Sequence, residues 1–228
     1  MGKIIGVVSL KGGVGVSSIS AGIAKWMSKE SNLCLVDCKY TGSLDIILNL
    51  QDSALFGFDD MCRGKNLSEV STQGTNFCFC SAPFEKKLDC SEAYRRIKES
   101  EYDLTVLDQP EDPGICDTAL IVTTLEASSV RCAEKLSWEL QTKGISTVLL
   151  INRFGEFKNE ISAERVVDLT HTRLIGAVPY EACMTEGTRS EEVENALCNV
   201  AKRISGQDVP IFEGSKKRSK YKKMLGLK

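Results

Sequence analysis

The 228-residue chain lacks any run approaching the roughly 18 consecutive apolar residues that a membrane span needs, which argues against an integral helical membrane protein. It also lacks the charged-then-apolar layout of an export signal, since Met1 leads straight into a strand-like segment. A cytoplasmic location is therefore expected. Histidine is almost missing: the one present, His171, lies between threonines and is expected at the surface. Internal repeats are missing too, and linker-like composition begins only near Gly206, leading through Pro210. The ten cysteines (34, 38, 62, 78, 80, 90, 116, 132, 183 and 198) are scattered through apolar segments, so they read as reduced, mostly buried packing residues rather than a disulfide scaffold. Cys78 and Cys80, in "FCFCSAP", fall on one face of a strand, but no second pair has the spacing that would complete a metal site.

The 42% hydrophobic content is enough for one substantial core. The expected layout is one domain over residues 1–206 and a basic tail over 207–228. The net charge of -2 hides an asymmetry: residues 216–228, "KKRSKYKKMLGLK", hold seven basic side chains and no acid, leaving 22 basic against 31 acidic groups in residues 1–215. On a helix, Tyr221, Met224 and Leu225 would share a face among Lys220, Lys222, Lys223 and Lys228, the layout of a short helix that lies on an anionic membrane. Two copies in a dimer would bind far better than one. A solubilising tail without structure and a nucleic-acid contact through the lysines are the other two readings.

Short Val/Ile/Leu-rich runs alternate with amphipathic stretches, which predicts an α/β fold: a doubly wound, mainly parallel sheet flanked by helices. The strand candidates are 3–9, 33–37, 77–81, 103–108, 118–124, 146–152 and 173–179. Helices are predicted where Ile19, Ile23, Trp26 and Met27 share a face, over Ala127–Gln141, and over Ser190–Ile204 with Val193, Leu197, Val200 and Ile204 inward. In such folds the ligand sits at the carboxyl ends of the strands.

At the end of the first strand stands "SLKGGVGVSS", a glycine-rich turn opening a helix, which presents backbone N–H groups to phosphate. Gly12, Gly13 and Gly15 would let that backbone approach closely. The pattern G-x-x-x-x-G-K-[ST] is broken at its lysine, which here is Val16, while Ser17 keeps the hydroxyl that would face Mg²⁺. Asp37 and Asp108 each end a buried strand and are candidates for the Mg²⁺ shell. Asn152, at another strand end, carries an amide that can both donate to and accept from a base edge, or else close a turn.

Five segments in order resemble the MinD/ParA family of deviant P-loop ATPases: "KGGVG" followed by two serines, "LCLVD" with "LDIIL", "DLTVLDQP", "TALIVTTLEASSVRCAEKL", and "LLINRF" with "IGAVPYE". The MinD branch is the nearer one, through "NRF" and the basic terminus. The resemblance implies ATP or ADP with Mg²⁺, held by Lys11, Gly12, Gly13, Val14, Gly15, Val16, Ser17 and Ser18 on the loop and by Asn152, Arg153 and Pro179 around adenine. It also implies a homodimer with Lys11 reaching across to the partner's nucleotide, a surface for a protein partner, and residence at the inner face of the cell membrane.

The departures bear on catalysis. Val16 removes a cation from the β- and γ-phosphates, a charge-assisted hydrogen bond of about 1.5–3 kcal/mol. Where the family has an aspartate associated with water, this chain has Lys39, which is either a solvated loop residue or a substitute for the missing cation. "QPEDPGICD" is shorter than the family's second switch. These features predict a nucleotide-responsive positioning or assembly factor with impaired or absent hydrolysis. The alternatives are an active ATPase, a ParA-like nonspecific DNA binder, and a scaffold that binds no nucleotide.

Overall fold

A computed structural model describes residues 2–51, 55–74, 76–86, 88–156, 160–181 and 189–211. The described residues form two compact units, one drawn from 1–8 and 16–119 and the other from 9–15 and 120–228.

The first unit carries strands β1 (Lys3–Val8), β2 (Leu33–Asp37), β3 (Thr72–Gln73), β4 (Cys78–Cys80) and β5 (Leu104–Asp108) in the order β3-β4-β2-β5-β1. Pairs β1–β5, β2–β5 and β2–β4 are parallel, and the two-residue β3 runs antiparallel to β4. Strands β2 and β5 are buried along their whole length, which is why they read as unbroken apolar runs rather than alternating ones. Their register sets Asp37 opposite Asp108 at the carboxyl end. Helix α1 (Val16–Met27) buries Ile19, Ile23 and Met27 at i, i+4 and i+8 and packs on β1, β2 and β5. Trp26, predicted on the same face, is only half-buried and instead lies under the Lys29 ammonium, 3.6 Å from the ring centroid.

Four further helices belong to this unit: α2 (Leu44–Leu48), α3 (Phe58–Cys62), α4 (Leu67–Val70) and α5 (Ser91–Lys98). Phe58, Met61, Leu67, Val70, Ala93 and Ile97 from the last three join Cys34, Cys38, Cys80 and Cys116 in one apolar cluster. Of the nine described cysteines, all reduced, those four are buried and five are half-buried, so the thiols are less uniformly interior than expected.

The second unit holds β6 (Thr118–Thr123), whose first two residues close the first unit, then α6 (Ala127–Thr142), β7 (Ser146–Phe154), α7 (Ala163–Thr170), β8 (Arg173–Pro179) and α8 (Glu191–Ile204). The strands follow the order β6-β7-β8, with β7 and β8 parallel. Ser162 and Ser190 cap the starts of α7 and α8 by accepting from backbone N–H groups three residues on. Ser137 of α6 donates to the Thr170 carbonyl, tying α6 to the end of α7. Mainly parallel strands with helices packed against them form the doubly wound α/β class that the hydrophobic pattern predicts.

Candidate nucleotide site

Within the first unit the chemistry gathers at the carboxyl ends of β2 and β5. Asp108 is fully buried. Its Oδ2 accepts from the Ser17 hydroxyl at 2.8 Å and its Oδ1 from the Ser20 hydroxyl at 2.6 Å. Ser20 was not legible as a site residue, although its spacing of three from Ser17 sets both hydroxyls on one face of α1. Asp37 is equally buried. Its Oδ1 accepts from the Lys39 N–H and its Oδ2 from the Leu44 N–H, both at 3.2 Å. Burial, with the Asp108 charge next in size, pushes the Asp37 carboxyl up to about 7, and the two backbone N–H groups only partly oppose this. Burial likewise raises Asp108, against the pull of the two serines and the Lys39 charge. Two carboxylates pressed together away from water suit a divalent cation, which would relieve both effects.

Val16 opens α1 and is only 6% exposed. Ser17 and Ser18 are half-buried, and Lys39 is exposed. Just after Asp108, Gln109 adopts a left-handed backbone with φ 52°, a conformation that costs a side-chain-bearing residue free energy and recurs at working sites. The segment that follows holds one 3₁₀ turn, Pro113–Ile115, started by the Asp112 carboxylate accepting from the Gly114 N–H.

In the second unit the glycine loop lies against the end of β7. The Asn152 amide nitrogen donates to the Val14 carbonyl at 2.8 Å, and the Arg153 guanidinium donates to the Gly13 carbonyl at 3.3 Å. Gly15 has φ 90°, and a β-carbon there would come within 2.4 Å of the Asn152 nitrogen, so only glycine fits. At Gly12 and Gly13 an added β-carbon would meet no protein atom, so neighbouring side chains do not account for glycine there. Lys11 is half-buried, with its N–H on the Ser9 hydroxyl. The Asn152 Oδ1 is buried without a hydrogen-bond partner. Arg153, at φ 57°, also pairs with Glu156 and stacks 5.8 Å from the Tyr180 ring. Tyr180 follows the buried Pro179, which faces Phe154 across β7–β8. Thus Asn152, Arg153 and Pro179 are gathered in the second unit, and Ser17, Asp37 and Asp108 in the first. The tail residues Tyr221, Lys222, Lys223, Met224 and Leu225 lie outside the described residues.

No family model matches the sequence. The septum site-determining protein MinD of Synechocystis is 26% identical over 248 residues, covering 93% of this chain and 93% of that protein. Among solved structures, the MinC:MinD cell division protein complex of Aquifex aeolicus matches with a TM-score of 0.83 at 22% identity, over 92% of this chain and 98% of the other. MinD of Pyrococcus horikoshii, complexed with Mg-ADP, matches with a TM-score of 0.77 at 19% identity, over 90% and 96% of the two chains. The chain thus shares the fold of these MinD and ParA-type structures, and relatives named MinD are similar to it along nearly the whole sequence.

Proposed function

We propose that this chain is a MinD-like, nucleotide-responsive spatial positioning or assembly factor whose ATP hydrolysis is impaired or absent. The observation that carries the nucleotide reading is the Asn152 amide: its nitrogen is committed to the Val14 carbonyl while its buried oxygen lacks a partner. A buried acceptor left open costs about 1–3 kcal/mol, and an exocyclic amine of a purine base would satisfy it. The chain therefore fits the group. Lys11 to Gly15, with backbone N–H groups and two glycines clear of protein atoms, would hold the phosphates. Ser17, Asp37 and Asp108 would hold Mg²⁺, whose charge would offset both the polyphosphate and the paired carboxylates.

Impaired hydrolysis follows from the buried Val16. Stabilising the charge that develops on the transferring phosphoryl group is the main task of such a site, and a methyl-terminated side chain contributes nothing to it. Binding tolerates the loss better than turnover does. The relative solved with Mg-ADP supports ADP as a ligand here, and the relative solved with MinC supports a protein partner. The working model is a cytoplasmic homodimer with Lys11 across the interface, presenting a partner surface and pairing two basic tails at the inner face of the membrane.

Calorimetric titration of ATP and ADP with Mg²⁺ into wild type and Val16→Lys tests this reading. Wild type is expected to bind both. The variant is expected to bind about 10- to 150-fold more tightly and to release phosphate measurably faster. Wild type that takes up neither nucleotide would leave a borrowed scaffold and end the proposal.

A further inference from the structure

We infer that Lys39, from the loop after β2, supplies the positive charge that Val16 does not, and so positions the phosphate tail of the bound nucleotide. The inference rests on the nucleotide reading above and assigns a residue within it.

The loop is held for this task. The Asp37 carboxylate accepts from the Lys39 N–H on one oxygen and from the Leu44 N–H on the other, so residues 39–44 wind around a single buried group. The Lys39 carbonyl accepts from the Gly42 N–H at 2.7 Å, fixing the residue at both backbone groups. At Gly42 a β-carbon would fall 2.1 Å from an Asp37 oxygen, so the wrap is as tight as a backbone allows. Against this fixed frame Lys39 is exposed.

Charge gives the direction. The first unit ends β2 and β5 with two buried carboxylates and brings the Ser17 and Ser20 hydroxyls to one of them. Adding a polyphosphate brings more negative charge than one Mg²⁺ offsets. Lys39 follows Asp37 by two residues and its N–H sits on the Asp37 carboxylate, at the strand end that the register sets beside Asp108. Val16 adds no charge, and in the second unit the Arg153 guanidinium is occupied by the Gly13 carbonyl and Glu156. A flexible ammonium suits the work, because lysine binds phosphate as a point charge and needs no planar fork.

The test is calorimetric titration of the full chain as wild type, Lys39→Ala, Lys39→Arg and the double variant Lys39→Ala/Val16→Lys, with ADP·Mg²⁺ and, separately, with adenosine. Thermal melts check that each variant folds, which the exposure of Lys39 favours. Lys39→Ala is expected to weaken ADP by about 10- to 150-fold and leave adenosine unchanged, because adenosine carries no phosphate. Lys39→Arg should keep most of the ADP affinity, and the double variant should recover it. If wild type binds ADP and Lys39→Ala binds it equally well, or loses adenosine to the same extent, Lys39 has no phosphate role and the nucleotide reading survives. If wild type binds neither ADP nor ATP, both fall together.

Discussion

At Asp37 a carboxyl group sits where water does not reach, next to a second carboxyl group of the same kind. Burial and the Asp108 charge raise its folded pKa from 3.8 to about 7. For an acid whose folded pKa lies above its unfolded value, the folded state binds the extra proton, so the stability it lends is complete below pH 4 and is lost as pH rises through 7. In chelator, the melting temperature is therefore expected to fall between pH 5 and 7.5. Asp37→Asn should flatten that slope, even though it starts from lower stability after losing one of its two backbone hydrogen bonds. Added Mg²⁺ should flatten the wild-type slope as well, by favouring the ionised pair. Slopes that coincide in wild type and Asp37→Asn would show that the carboxylate does not titrate in this range.

At the scale of elements, strands β1, β2 and β4 to β8 and helices α1, α6 and α8 were legible from their apolar runs and helical period. What escaped was short. Helices α2 to α5, α7 and the two-residue β3 are too brief for a strong periodic signal, and α3 to α5 are fixed by the apolar cluster they close rather than by their own letters. The glycine loop, Ser17, Asp37, Asp108 and Asn152 were legible as candidates because glycine spacing and strand ends mark them. Ser20 and the strained Gln109 were not, since a serine inside a helix and a glutamine after a strand carry no distinguishing pattern. Gly176 is a similar case, because its role emerges only where β8 meets α8. A β-carbon there would lie 2.3 Å from a Val200 methyl carbon. Gly176→Ala is expected to cost about 1–3 kcal/mol in urea unfolding by overpacking. Val200→Ala should recover much of that cost in the double variant, giving a coupling energy above about 0.5 kcal/mol. Additive losses would mean that strand and helix separate freely.

On the scale of the whole molecule, the charge asymmetry is the feature on which the proposed membrane contact rests. No helix among the described residues is long and apolar enough to cross a membrane, and the proposed membrane contact is one made at the surface by the basic tail. Each lysine near an anionic leaflet is worth about 1 kcal/mol, and the attraction is screened by salt. Removing residues 207–228 is expected to abolish flotation with phosphatidylglycerol vesicles at low salt while leaving the melting temperature of the remainder nearly unchanged. Retained flotation would shift the contact to the acidic body. Salt-sensitive retention on nonspecific DNA with no vesicle binding would favour the partition-type reading.

The alignment of Asp37 with Asp108 across β2 and β5 has a consequence for how this chain can change over time. Side chains on a strand alternate, so inserting or deleting a single residue inside either strand would turn one carboxylate to the opposite side of the sheet. Under the proposed Mg²⁺ role, those two strands are fixed in length by the chemistry at their tips, and tolerance for gained or lost residues is confined to the turns beyond them.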